Sequence, residues 1–546
     1  MEFIKKNKFL IILLFVACVC LFLSTGRLAN ILIDVGREVY YPKLILDGKV
    51  LYKDIFCIYG PLSYLINAFF YKILGAKLTS LFAVGVISAL SIVFLTYKIS
   101  RKFLSELNSF IITFFVISTG CLATRIFNFT LPYSYAVLYG ILFSLISIYF
   151  LITHYEKEDK HLLLLASLFG GLAISSKYDF LPYILILLFF IFKNKSYKSL
   201  FALVFGIFSP FLILFIQGAS IKDFINAFGA IKSFTSTKAL ETFYLTQGVY
   251  YTKRVWAEWF MEIFNLSIAL FFIYTGLYNI QKNKVVRKII GSIVLLFGMV
   301  SSFNLAGADS YLFLTFFTTV FFIFSFKKNK SIENLFILSS ILISLKSFWG
   351  LSHANYGLYF IPLIFISFFI MSKNIFTKNC TKCFILLVLG MSISYFCQNV
   401  IDIIHTDFKI ETKKGTIAAT EDMGKSSKEI INYINNIKEE NPKVMIYPEG
   451  LMFNFLADKK TETENFYNSL IPLYTEGFGE DEIIENLKNK NLDYIILSNQ
   501  KTESYGQKEI CKTYAYKICS YIFENYREIY QTTSSSEEFY TVYKRK

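Results

Sequence analysis

Residues 78–97 read LTSLFAVGVISALSIVFLTY, twenty residues without a charge, and Lys98, Arg101 and Lys102 follow directly. A helix rises about 1.5 Å per residue, so this run crosses the roughly 30 Å of hydrocarbon in a bilayer. Outward from it, comparable apolar runs recur near 9–25, 107–123, 134–153, 162–176, 180–192, 200–217, 263–280, 289–306, 310–326, 333–349, 357–372 and 383–399. Together they predict about thirteen membrane helices, the shortest being 162–176 and 180–192. The whole chain agrees: of 546 residues 55% are hydrophobic, 18% aromatic and 17% charged, with mean hydropathy +0.49. Soluble domains carry about 25% charged residues, so a soluble enzyme, a disordered chain and a disulfide scaffold are all excluded.

Charge placement predicts orientation. With a cytoplasmic N-terminus, alternate short loops carry 21 Lys and Arg side chains, from Lys5, Lys6 and Lys8 to Lys373, Lys378 and Lys382. The opposite short loops carry three, namely Arg125, Lys177 and Lys346. Such an excess marks the cytoplasmic side, and it explains the net charge of +15 without nucleic acid. The first run resembles a signal peptide in its basic start, but no small-x-small cleavage site follows, so an uncleaved first span is expected.

Three segments remain outside: 26–77, 218–262 and the tail. Residues 401–546 hold 19 Lys and Arg against 24 Asp and Glu and mix two periodicities. Helical spacing covers 425–441 and 507–526; short apolar strand runs cover Lys443–Tyr447 and Leu492–Leu497. Two more strands, 527–532 and 539–544, are expected to pair across Ser534–Ser536. The fold class expected is therefore a mainly α polytopic membrane bundle with outer juxtamembrane helices (1–400), carrying a small α/β extracytoplasmic domain (401–546). Cys511 and Cys519 fall on one predicted helix, about 12 Å apart by helical rise, and are expected to be packed thiols.

The chemistry concentrates in the first outer segment: Asp34-Val-Gly-Arg-Glu38, Leu46-Asp-Gly-Lys-Val-Leu-Tyr-Lys-Asp54 and Tyr59-Gly-Pro-Leu62. Asp34 sits at the membrane boundary, where partial desolvation strengthens a carboxylate as general base; the alternative is a helix cap. Arg37 and Glu38 lie three and four residues on, which places a second acid and a cation on the same helical face.

This order, an Asp just after the first span, then Gly-x-x-Tyr-x-Asp, then Tyr-Gly-Pro-Leu before an amphipathic helix ending at Leu74-Gly75, resembles the GT-C superfamily of membrane glycosyltransferases. The nearest likeness is to its protein O-mannosyltransferase and lipid A aminoarabinose transferase branch. The family's Asp-Glu appears here with Val35 after Asp34, and its Pro-Pro-Leu as Gly60-Pro61-Leu62. Lys177 in Ser-Lys-Tyr-Asp179, and His353-Ala-Asn-Tyr356 with Pro362, resemble later outer-loop features. Tyr447-Pro-Glu-Gly450 and Asn454-Phe-Leu resemble outer domains of bacterial members.

The resemblance implies a polyprenyl-phosphate-linked sugar donor, inversion at the sugar carbon, and a glycan, lipid or protein acceptor at the outer face of the cytoplasmic membrane. Asp34 and Glu38 are then the catalytic candidates. Arg37, Lys177, Lys346 and His353 are candidates for the donor phosphate, whose charge grows on departure. Asp54, Tyr59 and Tyr356 are candidates for positioning the acceptor or the loop, Asp54 acting through Lys53 or Tyr52. Asp309 is read as functional or as a cap. The segment 218–262, rich in Lys, Tyr and Trp, is a lid or an interfacial aromatic belt.

Other signals are weak. Cys380-Thr-Lys-Cys383 has no second pair, and a zinc site needs four ligands. Four His residues in total argue against a His-built metal centre, so no cofactor is expected, a divalent metal being the reservation. Asn128-Phe-Thr130 fits a glycosylation sequon. The competing functions are a transporter or lipid-glycan flippase, a glycan polymerase or ligase, and a silent member that presents its tail. Transporters place charges within spans and carry repeats, whereas acidic residues here lie at span ends.

Overall fold

The computed structural model describes residues 7–246, 250, 252–282, 284–302, 312–348, 355–459, 469–533 and 539–546. The apolar runs become helices: α1 (Lys8–Ser24), α2 (Val35–Leu46), α3 (Leu62–Leu74), α4 (Leu78–Phe103), α5 (Glu106–Val116), α6 (Tyr135–Lys157), α7 (Lys160–Ser176), α8 (Ile184–Lys193), α9 (Tyr197–Ile216), α10 (Ile221–Phe234), α11 (Lys238–Thr246), α12 (Lys253–Ile280), α13 (Val285–Ser301), α14 (Leu312–Ser325), α15 (Ser331–Ile343), α16 (Ile361–Ile375) and α17 (Lys378–His405). Their starts follow capping chemistry. The side chains of Ser105, Asp159, Thr252 and Thr377 accept backbone N–H groups at the first turns of α5, α7, α12 and α17.

Six helices among the described residues are long and apolar enough to cross a membrane: Leu78–Phe103, Tyr135–Lys157, Tyr197–Ile216, Lys253–Ile280, Gly357–Ile375 and Lys378–His405. Shorter apolar helices accompany them, among them α1, α7 and α15. The segment expected as an outer loop at 218–262 is itself helical. It forms α10, α11 and the first turns of α12, because Thr252 caps the latter ten residues before the apolar run begins.

The tail adds β1 (Phe408–Thr412), β2 (Gly415–Ala419), α18 (Glu421–Asn435), β3 (Val444–Tyr447), α19 (Leu451–Leu456), α20 (Pro472–Phe478), α21 (Glu480–Lys490), β4 (Tyr494–Ser498), α22 (Tyr516–Asn525), β5 (Tyr526–Gln531) and β6 (Tyr540–Arg545). Strand order in the larger sheet is β3-β4-β6-β5, with β3 and β4 parallel and the other pairs antiparallel. Side chains alternate across a strand, and both faces here are covered. Val444, Ile446, Tyr494 and Ile496 join the main core, while Met445, Tyr447, Ile495 and Leu497 form a second core with α21 and α22. The expected pairing of the last two strands is present; the turn at Ser534–Ser536 lies outside the described residues.

One expectation is corrected. Cys511 and Cys519 form a disulfide with Cα atoms 5.5 Å apart. The helix expected from 507 begins only at Tyr516, because Cys511 and Ala515 take left-handed backbone conformations (φ +67° and +60°). That turn folds Cys511 back onto the helix, so the separation computed along a continuous helix does not apply.

The tail grips the first outer segment at both ends. Leu28 donates its N–H to Ala418 O at 2.8 Å, and Ala418 N donates to Gly26 O at 2.7 Å, which adds residues 26–28 beside β2. Arg27 Nη1 donates to Ile403 O and Thr406 O. At the other end, Leu78 N donates to Lys414 O at 2.8 Å. Between these clamps α19 lies on α2 so closely that a Cβ on Gly36 would stand 2.5 Å from Met452 N. Glycine is therefore a packing requirement at position 36.

Candidate active site

Asp34 precedes α2 with φ +61°, outside helical geometry, and its side chain makes no capping hydrogen bond. Instead its Oδ1 accepts from Arg37 Nη2 at 2.9 Å, and the carboxylate is 29% exposed. That exposure is into a cleft lined by Asp34, Arg37, Phe56, Glu449, Ser469 and Tyr474, among others. The cleft lies between the first outer segment and the tail. The space left inside is about 40 Å³, enough for two or three waters but not for a sugar.

Glu38 takes another direction. It is fully buried: Oε1 accepts from Tyr64 Oη at 3.0 Å and Oε2 from Tyr135 N at 2.8 Å. Burial pushes its carboxyl up to about 7, against the pull of Arg37 and these hydrogen bonds. Glu38 thus ties α2 to α3 and to the start of α6, and it stands 3.7 Å from Arg37 Nε. Expected beside Asp34 as a second catalytic acid, it backs Arg37 from the core and does not line the cleft.

Tyr59 joins the two cations. A Cβ on Gly60 would fall 1.9 Å from Ser175 O, so the Tyr-Gly-Pro turn lies directly on the last turn of α7, next to Lys177. The Arg37 guanidinium carbon is 5.1 Å and Lys177 Nζ 4.7 Å from the Tyr59 ring centroid. Tyr52 Oη donates to Tyr59 O at 2.6 Å and contacts Tyr178 Oη at 3.2 Å, which fixes that turn. Lys177 is 4% exposed; its Nζ donates to Tyr133 Oη at 2.7 Å and lies 3.5 Å from Asp179 Oδ2. Burial pushes its ammonium down to about 7, with Asp179 opposing. Lys346 pairs with Asp179 at 3.1 Å and is 44% exposed. Asp34, Arg37, Tyr59, Lys177, Asp179 and Lys346 therefore form one chain of contacts.

The other sequence candidates separate. Asp54 Oδ2 accepts from Val50 N at 2.8 Å and closes its own turn; Lys53, thought to anchor it, donates to Gly218 O instead. His353 and Asp309 lie outside the described residues, as does the side chain of Tyr356. Asn128 is buried, its amide donating to Arg125 O and Leu131 O, so the sequon is a built-in turn. Among the described residues no group of three or more His, Cys, Asp or Glu side chains is placed to hold a metal ion.

The segment 218–246 packs behind the cleft, against two of its lining rings, Phe56 and Tyr474. Phe234 of α10 packs against Phe56, Tyr474 and Phe478 with ring centroids 5.0–6.0 Å apart. Thr246 Oγ1 of α11 donates to Ser504 O, and Ala239 N donates to Glu476 Oε2. Sequence reasoning missed Tyr133, Tyr474 and Glu449, and named Tyr52 only as a partner of Asp54. Only Glu449 had a signal, in the quoted Tyr447-Pro-Glu-Gly450.

Comparison with known proteins fits this arrangement. Residues 59–216 match the family model described as dolichyl-phosphate-mannose-protein mannosyltransferase. None of the curated proteins matches the chain. An oligosaccharyltransferase from Archaeoglobus fulgidus, solved with a tethered acceptor peptide containing an NVT sequon, superposes with TM-score 0.52 at 12% identity, covering 100% of this chain and 75% of that one. The chain shares the fold of that oligosaccharyltransferase. ArnT from Cupriavidus metallidurans, solved with undecaprenyl phosphate, covers 98% of both chains at 10% identity and TM-score 0.40. The part of the chain that the family model matches contains Tyr59, Tyr133, Lys177 and Asp179; Asp34 and Glu449 lie outside it.

Proposed function

We propose that the chain is an integral membrane glycosyltransferase that moves a sugar from a polyprenyl-phosphate carrier to a glycan, lipid or protein acceptor at the outer face of a cytoplasmic membrane. The observation that carries this reading is that Arg37 and Lys177 meet at the Tyr59 ring, with Arg37 paired to Asp34 in the cleft. The mannosyltransferase family match over 59–216 supports it. So do the solved relatives of the same fold, which include an oligosaccharyltransferase with an acceptor peptide.

The chemistry follows from the groups present. Asp34 accepts the proton of an acceptor hydroxyl as its oxygen attacks the anomeric carbon. The bond from that carbon to the phosphate oxygen breaks, and its electron pair leaves with the polyprenyl phosphate. Arg37 and Lys177 stabilise the growing negative charge, and such preorganised charge is worth most where water is excluded. One displacement with no enzyme nucleophile inverts the anomeric centre. Arg37 and Lys177 supply the positive charge that departure requires, so the proposed step runs on side chains alone. Given the small free volume of the cleft, α10 and α11 act as a lid that opens for substrate.

In the proposed topology thirteen helices cross the membrane from a cytoplasmic N-terminus. Residues 1–400 form the catalytic membrane part, and 401–546 lie outside. The strongly uneven Lys and Arg distribution supports that orientation. The Cys511–Cys519 disulfide supports an outer tail, since disulfides persist in oxidising compartments. The test is release of polyprenyl phosphate by purified protein from a radiolabelled polyprenyl-phosphate sugar pool. Wild-type release that is lost in a folded Asp34→Asn variant is expected; release unchanged by that substitution overturns the assignment.

A further inference from the structure

The carboxylates expected near the reaction all come from the first outer segment, yet the cleft contains one that does not. Glu449 follows β3 and precedes α19, and it faces the cleft with Gly450, Leu451, Ser469 and Tyr474. It is partly buried, and Gln500 Nε2 donates to its Oε2 at 3.4 Å. The packing of α19 against α2 through Gly36 holds this turn against Asp34. Ser469 Oγ on the cleft wall and Gln500 Oε1 beside Glu449 are among the buried polar atoms without a hydrogen-bond partner among the described residues, at 7% and 5% residue exposure. Buried polar atoms are paired in roughly nine cases of ten, so Ser469 on the cleft wall, with Gln500 bonded behind Glu449, points to a ligand rich in hydroxyls.

Resting on the glycosyltransferase reading, we propose that Glu449 binds the acceptor: the C-terminal domain contributes the side chain that holds an uncharged, hydroxyl-bearing acceptor against Asp34. The division of charge supports this. Arg37 and Lys177 make the part near Tyr59 suitable for the phosphate, whereas Asp34 and Glu449 offer an acceptor hydroxyl one accepting and one donating group. Burial and the Asp34 charge push the Glu449 carboxyl up to about 8, with Arg37 and Gln500 opposing. At neutral pH it therefore carries its proton and donates to the acceptor oxygen while Asp34 accepts. Tyr474, Tyr505 and Tyr514 are the other titratable groups facing it, and burial holds the hydroxyls of all three above the ordinary tyrosine range. They stay neutral while Glu449 titrates.

The experiment uses the full chain in lipid nanodiscs, a radiolabelled polyprenyl-phosphate sugar as donor and washed cell envelopes as acceptor. Undecaprenyl phosphate binding is measured in parallel. Glu449→Leu is expected to raise the acceptor concentration for half-maximal transfer about tenfold, leaving undecaprenyl phosphate affinity within about twofold. Glu449→Gln retains a donor and is expected to raise that concentration less than Glu449→Leu does, and to abolish the further rise in it expected of wild type above pH 8, read at saturating donor so that Lys177 titration does not enter. A Glu449→Leu protein with unchanged acceptor dependence overturns the inference, as does a Glu449→Gln protein with the wild-type pH profile. Wild-type protein that neither binds undecaprenyl phosphate nor releases it from donor overturns the glycosyltransferase reading itself.

Discussion

Two arginine–carboxylate pairs sit near the starts of two helices, α2 and α12. Arg37 and Asp34 meet at 2.9 Å with 15% and 29% exposure; Arg254 and Glu258 meet at 2.7 Å with 68% and 34%. Distance does not distinguish them, but surroundings do. The first pair has Glu38 and Tyr64 behind it, Tyr59 over the guanidinium and the tail closed across the front. The second begins a helix whose most apolar stretch is only 17% buried, with Phe260 and Phe271 facing outward at 68% and 63%. An ion pair in high dielectric contributes roughly 0–1 kcal/mol, whereas the same charges in an enclosed site can direct chemistry. Enclosure, and not the pair itself, marks the functional region.

That contrast can be broken by substitution, and the largest effect belongs to the enclosed pair. Asp34→Asn is expected to lower transfer by about 10²–10⁴-fold, while Glu258→Gln leaves it unchanged, both read as polyprenyl phosphate released per minute. Lys177→Met is expected to lower transfer about 10²-fold while the unfolding temperature holds or rises. The sign follows from its burial. An ammonium pushed from about 10.5 to about 7 is disfavoured when charged in the folded protein, so below pH 10 its removal relieves a cost. For the same reason undecaprenyl phosphate affinity is expected to fall as pH rises through 7 in wild type, and to be flat there in Lys177→Met. Titration of binding between pH 6 and 9 reads this directly.

Gly36→Val tests the closure itself. The added atoms collide with the α19 backbone, and overpacking of this kind costs about 1–3 kcal/mol. Earlier proteolysis of the tail is expected, with transfer reduced several-fold. The smallest effect is expected at the exposed pair: Arg254→Ala should leave the unfolding temperature within error and transfer unchanged.

Much of the fold was legible because a bilayer imposes a length rule on apolar runs, and residues 78–97 obey it directly. Asp34 stands ten residues past the end of α1 at Ser24, just ahead of α2. Helical spacing misled at Glu38. Asp34 precedes the helix with positive φ, so the two acids do not share a face; one reaches the cleft and the other the core. Glu449 was illegible as a site residue because 415 positions separate it from Asp34, and only the docking of α19 on α2 unites them. The Cys511–Cys519 bridge was missed because two left-handed residues ended the helix early.

The central claim is that Arg37 and Lys177, both against the Tyr59 ring, bind a lipid phosphate beside Asp34. A cryo-EM structure of the protein in nanodiscs with undecaprenyl phosphate tests it most directly. Phosphate density within hydrogen-bond reach of both cations, with Asp34 facing it across the cleft, is the expected result. Density held elsewhere on the protein, with the Arg37–Lys177 face unchanged, contradicts the account.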